Sequence, residues 1–150
     1  MRRKFIAVLV AVSAVILCSV LIASQNSNKI STSSTKTSKQ VIKNIPVNDC
    51  NKLIQENINY SSFVLLDVRS EKEYNSEWIN GAIQLDFYSK GFSKRINELD
   101  KTKTYLVYSE SGKRAKYTLD LMRDLGFHKV FNMEGGINLW KNLGYTTQTK

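Results

Sequence analysis

Residues 104–115 read TYLVYSESGKRA, Thr104 to Ala115. Thr104 to Tyr108 is a β-type run, Ser and Gly break it, and a helical run begins at Lys113. A strand that turns through such a loop straight into a helix gathers backbone N–H groups and the positive helix end at one point. Ser111, Gly112, Lys113 and Arg114 therefore form an anion cradle by local chemistry alone. Loops of this outline often carry a nucleophile at their first position, and that position holds Ser109.

Outward from this loop the chain alternates strand and helix patterns. Asn48 or Asp49 is expected to cap a short helix running to about Gln55. Phe63-Val64-Leu65-Leu66 is a continuous apolar run, as in a strand buried on both faces. Ala82 to Leu85 reads as a shorter strand and Tyr105 to Tyr108 as a central one. Lys113 to Leu125 reads as a helix whose apolar positions are Ala115, Leu119, Leu121 and Met122, with Gly126 as its stop. Lys129 to Asn132 is a strand, and Ile137 to Leu143 a closing helix before Gly144. This alternation predicts an α/β domain over residues 41–150, with a parallel sheet covered on both faces.

The chain of 150 residues, 42% hydrophobic and 23% charged, has room for one such domain. Its formal charge of +9 is unevenly placed, because residues 1–40 hold six Lys/Arg and no acid. Residues 41–150 hold 16 Lys/Arg against 13 acids, a net of +3. That balance gives no support to a nucleic-acid footprint. Arg2-Arg3-Lys4 precede Phe5 to Ala23, a 19-residue run broken only by Ser13, Cys18 and Ser19. As a helix it matches the ~30 Å hydrocarbon core. A cleaved signal has a shorter apolar region, about 7 to 15 residues. Residues 1–24 are thus expected to be an uncleaved signal anchor, with membrane contact through residues 5–23. Cleavage after Ala23 or Ser24 would instead release an exported soluble form. In both cases the basic cluster stays inside and the domain lies outside the cytoplasm. Residues 25–40, QNSNKISTSSTKTSKQ, are expected to be a flexible linker. Cys18 fits a lipoprotein signal poorly, since Leu17 precedes it and apolar residues continue beyond it. Cys50 is then the only other thiol, so no disulfide framework follows. No metal-spaced Cys/His cluster occurs, no cofactor is expected, and the lone His128 reads as a solvated turn residue.

Three segments in register carry a resemblance. LLDVRSEKEY (Leu65 to Tyr74), INGAI (Ile79 to Ile83) and MEGGINLWKNLGY (Met133 to Tyr145) resemble, in order and spacing, the motifs of the rhodanese family. The resemblance implies a single rhodanese-like domain: a five-stranded parallel sheet with helices on both faces and the reactive loop at the carboxyl end of a central strand. Gly135 and Gly136 would permit a tight strand-to-helix turn and Trp140 would bury its ring. Asp67 and Arg69 end a buried strand and are expected to brace the loop by hydrogen bonds and an ion pair.

Active sulfurtransferases of this kind resemble Cys-x4-Arg in the loop, the thiolate taking up sulfur as a persulfide. Aligned so, Ser109 stands in the cysteine's place and Arg114 in the arginine's, with the loop length kept. Related phosphatases carry one more residue between the two. A cradled thiol becomes a good nucleophile, whereas a serine hydroxyl needs an adjacent general base and cannot hold sulfane sulfur. Glu110 adds a negative charge beside the cradle. Glu77 and Trp78 stand where the family commonly has Gly-His, and Asn80 where it commonly has Pro. These residues predict a membrane-tethered module that binds a small oxyanion, an envelope protein, or both, without sulfur transfer. The alternative is an active thiosulfate-type sulfurtransferase drawing on another thiol, with Cys50 the extracytoplasmic candidate although its place in the first helix is expected to lie far from the loop.

Overall fold

The apolar run Phe63–Asp67 (β2) pairs in parallel with Thr104–Tyr108 (β5), Phe63 opposite Thr104 and Asp67 opposite Tyr108. On its other side β5 pairs in parallel with Lys129–Met133 (β6), and β6 with Val41–Ile45 (β1). The short strand Ile83–Gln84 (β4) lies beyond β2, so the sheet runs β1-β6-β5-β2-β4, all parallel. These relations come from a computed structural model, which describes residues 39–150. The expected anchor, residues 1–24, and residues 25–38 of the expected linker lie outside the described residues. Among the described residues, no helix is long and apolar enough to cross a membrane.

Helices cover both faces of the sheet, and the two-residue period of the strands explains how. Leu65, Leu106 and Phe131 point to one face, where Val47–Asn57 (α1) and Gly136–Asn142 (α5) pack Val47, Cys50, Ile54, Ile137 and Trp140 against them. Leu66, Val107 and Val130 point to the other, beneath Phe92–Asn97 (α3) and Lys113–Asp124 (α4). There Phe92, Ile96, Ala115, Leu119 and Met122 close the second core. Each such aliphatic side chain removed from water stabilises the fold by about 1.5–3 kcal/mol before entropy is counted. With both faces dry, alternation of polar and apolar residues is lost and the strands read as unbroken apolar runs.

Several elements differ from the sequence reading. The strand β1 carries no strand pattern of its own, because VIKNI lies at the sheet edge and only Ile45 is buried. Helix α1 starts at Val47, with Pro46 rather than Asn48 or Asp49 at the N-cap and no side-chain cap bond. The proline ring fixes φ at −67°, and its carbonyl accepts from the Asp49 and Cys50 N–H groups, so the first turn closes earlier. Two six-residue helices lie beyond the elements expected from the sequence: α3, and Glu71–Ser76 (α2), which buries no residue. Helix α2 stands on its capping box, in which Ser70 and Glu73 bond each other's backbone N–H. Glu77–Trp78 (β3) pairs antiparallel with Gln148–Thr149 (β7) and ties down the chain end. Glu77 itself accepts from Lys141 Nζ at 2.6 Å and Thr147 Oγ1 at 2.7 Å. The side chain of Gln40 donates to the carbonyls of Arg123 and Phe127, at the opposite end of the sheet from the loop.

Candidate functional site

The loop Ser109–Gly112 leaves the carboxyl end of β5 and enters α4 through Gly112, which is left-handed at φ +83°. A Cβ there would meet the Met133 carbonyl oxygen at 2.9 Å, so the position is closed to other residues by contact as well as conformation. Two loop carbonyls turn toward α5. Ser109 O accepts from Ile137 N–H at 2.9 Å and Glu110 O from Asn138 N–H at 3.1 Å, at the start of α5. Gly136 permits this approach, since a Cβ on it would stand 2.6 Å from Glu110 O and 2.7 Å from Gly112 N. With the carbonyls so engaged, the backbone N–H groups of residues 110–114 donate to no protein acceptor among the described residues. Ser109 is buried, and its Oγ accepts from the Ala115 N–H at 3.3 Å.

Charge around the loop is organised in two pairs. Asp67 is fully buried and Arg69 nearly so. Arg69 Nη2 and Nε donate to Asp67 Oδ2 at 2.7 and 3.0 Å, and Nη2 reaches the Glu77 carbonyl at 2.5 Å. Its Nη1 stands 3.8 Å from Glu110 Oε2, which keeps the Glu110 carboxylate beside the loop. Beneath the guanidinium lies the Tyr108 ring, 5.7 Å from it to the centroid. Burial first, and the Asp67 carboxylate second, push the Tyr108 hydroxyl well above its ordinary range. The second pair is Arg114 with Glu73. Two hydrogen bonds, at 2.8 and 2.6 Å, hold the guanidinium on that carboxylate. The bond from Arg114 holds the Glu73 carboxyl down at about 2, with the Ser70 hydroxyl and N–H assisting.

The structure thus brings Ser109, Glu110, Ser111 and Gly112 into one turn and sets Asp67 and Arg69 at its β2 side. Lys113 is exposed at the first position of α4. The Arg114 head group departs from the expected arrangement: it is spent on Glu73 and stacks 5.6 Å from the Tyr88 ring centroid. Glu73 and Tyr88 were missed in the sequence. The S-x-x-E pattern of Ser70 to Glu73 marks a capping box and could have flagged Glu73, whereas nothing in the sequence around Tyr88 points to Arg114. His128 precedes β6, whose first residue Lys129 is level with Thr104, the start of β5. Five residues of strand at ~3.3 Å each put it ~16 Å from the loop. Cys50 is wholly buried, its thiol 3.7 Å from the Ile45 carbonyl and pushed up to about 12 by burial and then by Asp49.

Unpaired backbone donors at the start of a 12-residue helix, at the carboxyl ends of a parallel sheet, place this loop where α/β domains generally carry their sites. Residues 49–143 match the family model described as the rhodanese-like domain, and the chain belongs to that family. It is similar to a sulfurtransferase of Allochromatium vinosum, 27% identical over 96 residues that make up 64% of this chain and 88% of the relative. It is also similar to the thiosulfate sulfurtransferase GlpE of Coxiella burnetii, 30% identical over 78 residues, 52% of this chain and 71% of that one. Of the YrkF protein of Bacillus subtilis it spans only 42%, at 32% identity over 79 residues and 53% of this chain. Among solved structures, a rhodanese-related protein from Thermoplasma volcanium superposes with a TM-score of 0.59 at 26% identity, covering 72% of this chain and 99% of that one.

Proposed function

We propose that this protein is a rhodanese-like module that binds a small oxyanion and does not transfer sulfur. One observation carries the reading: five consecutive backbone N–H groups, from Glu110 to Arg114, have no acceptor among the described residues, in a loop whose first residue is a buried serine. Ser109 stands where the family's sulfur-carrying cysteine belongs. Its oxygen cannot store sulfane sulfur, and activating it as a nucleophile requires a base within hydrogen-bond reach. His128 is at the other end of the strands, and the nearest carboxylates are held by Arg69 and Arg114. The N–H ring is unaffected by the loss of the thiol and suits sulfate, thiosulfate or an anionic side chain of an envelope partner.

The module is read as tethered to the outer side of the cell membrane by residues 5–23. The 19-residue apolar run behind Arg2-Arg3-Lys4 supports this. Three experiments test the proposal. Calorimetry with sulfate and thiosulfate should give saturable binding, with no thiocyanate formed from thiosulfate and cyanide above a protein-free control. Protease added to intact spheroplasts should digest the domain, and survival of peptides containing Trp140 would overturn the topology.

The relatives named as sulfurtransferases favour a second reading, an active enzyme that uses another thiol. Among the described residues Cys50 is the only candidate, and its burial opposes the thiolate that such chemistry needs. Turnover abolished by Cys50→Ala would establish that reading.

A further inference from the structure

On the β1–β6 side of the loop, away from Asp67 and Arg69, lies a groove of about 420 Å³. Its volume falls within the ~300–1,000 Å³ of small-molecule sites. The loop segment Ser111 to Lys113 lines it together with Glu134, Gly135 and the exposed Tyr117. The floor is an amide pair. Asn44 and Asn132 are level with each other in the β1–β6 register, and Asn132 Nδ2 donates to Asn44 Oδ1 at 3.1 Å.

That pair is incomplete. Asn132 is 4% exposed, and its Oδ1 accepts from nothing. A buried acceptor left so costs about 1–3 kcal/mol. Asn44 is exposed on the edge strand and makes no other side-chain bond among the described residues, so it can swing aside and open Asn132 to a donor. The groove therefore offers two kinds of recognition at once. Lys113 has no acidic partner among the described residues and, with the Ser111 hydroxyl, calls for an anion. The Glu134 carboxylate and Asn132 Oδ1 call for N–H donors. A simple oxyanion leaves both acceptors unmet and is repelled by Glu134. A simple cation meets Lys113, which is unpaired among the described residues, Lys116 being held by Asp120 at 2.6 Å.

We propose that this groove is a second site, which takes a zwitterion of the free amino acid class. The carboxylate lies at Lys113 and Ser111, the ammonium at Glu134 and the Asn132–Asn44 pair, and the side chain along the Tyr117 ring. The loop is then a partition with the backbone-donor ring on one side and the amino acid groove on the other.

The full-length protein, labelled with ¹⁵N, is titrated with pools of the twenty free L-amino acids, and with acetate and methylamine as the two halves of the zwitterion. The expected result is saturable movement of the Asn132 and Asn44 side-chain signals and of the Gly135 amide with at least one amino acid. Acetate and methylamine each bind at least about tenfold more weakly, a loss of ~1.4 kcal/mol. Glu134→Gln weakens the amino acid by a similar factor and leaves sulfate binding at residues 110–114 unchanged, so this proposal and the one above fail separately. Glu134 is exposed, and unchanged signals elsewhere confirm that Glu134→Gln folds. The proposal is overturned if no amino acid moves these signals, if acetate alone moves them as strongly, or if Glu134→Gln leaves amino acid affinity intact.

Discussion

Arg114 grips Glu73 through both terminal guanidinium nitrogens, Nη1 and Nη2, at 2.8 and 2.6 Å, and so joins the first turn of α4 to the capping box of α2. The Arg114 guanidinium is thereby directed at a protein carboxylate, and an anion bound in the loop as proposed would rest on backbone donors. Bidentate geometry of this kind is the strong form of an ion pair. Arg114 also fixes how α2, which buries nothing of its own, sits against the loop.

The pair sets a pH dependence of stability. The Glu73 carboxyl is held at about 2 in the fold, below the ordinary 4.5, so its contribution is complete above about 4.5 and is lost as pH falls through about 2. Urea midpoints measured across that window should fall steadily in the native chain. Glu73→Gln should be less stable at neutral pH and show a flatter decline. Parallel curves for the two proteins would mean that the pair contributes nothing to stability.

Gly136 and Gly144 make a controlled comparison. Both have positive φ, +59° and +81°, but a Cβ on Gly144 meets nothing within 4 Å. Gly144→Ala should cost only the left-handed strain, ~1–2 kcal/mol. Gly136→Ala pushes a methyl group onto the Ser109 and Glu110 carbonyls and should cost about 3 kcal/mol or more. It should also abolish sulfate binding, because the carbonyls that α5 holds away from the loop are displaced. Equal losses in the two variants would show that the α5–loop contact does not shape the site.

How much of this could be read in the sequence depends on where the information is stored. The central strands were legible because Phe63–Leu66 and Tyr105–Tyr108 are dry on both faces, and the loop because Ser111 and Gly112 interrupt β5 just before a helical period. Edge and surface elements were not. Only one residue of β1 is fully buried, α2 has no apolar face, and β3 and β7 are two residues each, paired across 70 positions of chain. The direction of the Arg114 head group is likewise a tertiary fact. It depends on Glu73, 41 residues away, and on the Tyr88 ring. The orphaned Asn132 acceptor arises from the β1–β6 register, which no local pattern encodes.

Cys50 should be inert in the folded protein. Its thiol is sealed in the core beneath α1 and pushed up to about 12. In a Cys18→Ser background, so that the signal belongs to Cys50 alone, an aromatic disulfide reagent should react only as fast as the protein unfolds. Urea should accelerate the reaction in step with unfolding. Rapid labelling under native conditions would show a route to the thiol and revive it as a sulfur carrier.

Ser109→Cys tests the loop itself, because two effects on the new thiol oppose each other. Burial raises a thiol, as Cys50 shows within the same fold. At position 109 the Ala115 N–H already donates to the side-chain atom at 3.3 Å, and the N–H groups of residues 110–114 and the start of α4 favour a negative charge. Several donors aimed at one anion outweigh desolvation where thiols are activated at helix starts, so the introduced cysteine should titrate below the ~8.5 of a free thiol. Glu110 opposes this from beside Arg69, and Glu110→Gln in the same variant should lower the titration further by leaving Arg69 Nη1 free of its 3.8 Å partner. Ultraviolet thiolate absorbance against pH measures both shifts. Thiocyanate formation from thiosulfate should appear in the single variant and increase in the double. A thiol that titrates at or above ~8.5, together with no sulfate binding by the native chain, would mean that the donor ring no longer acts on an anion.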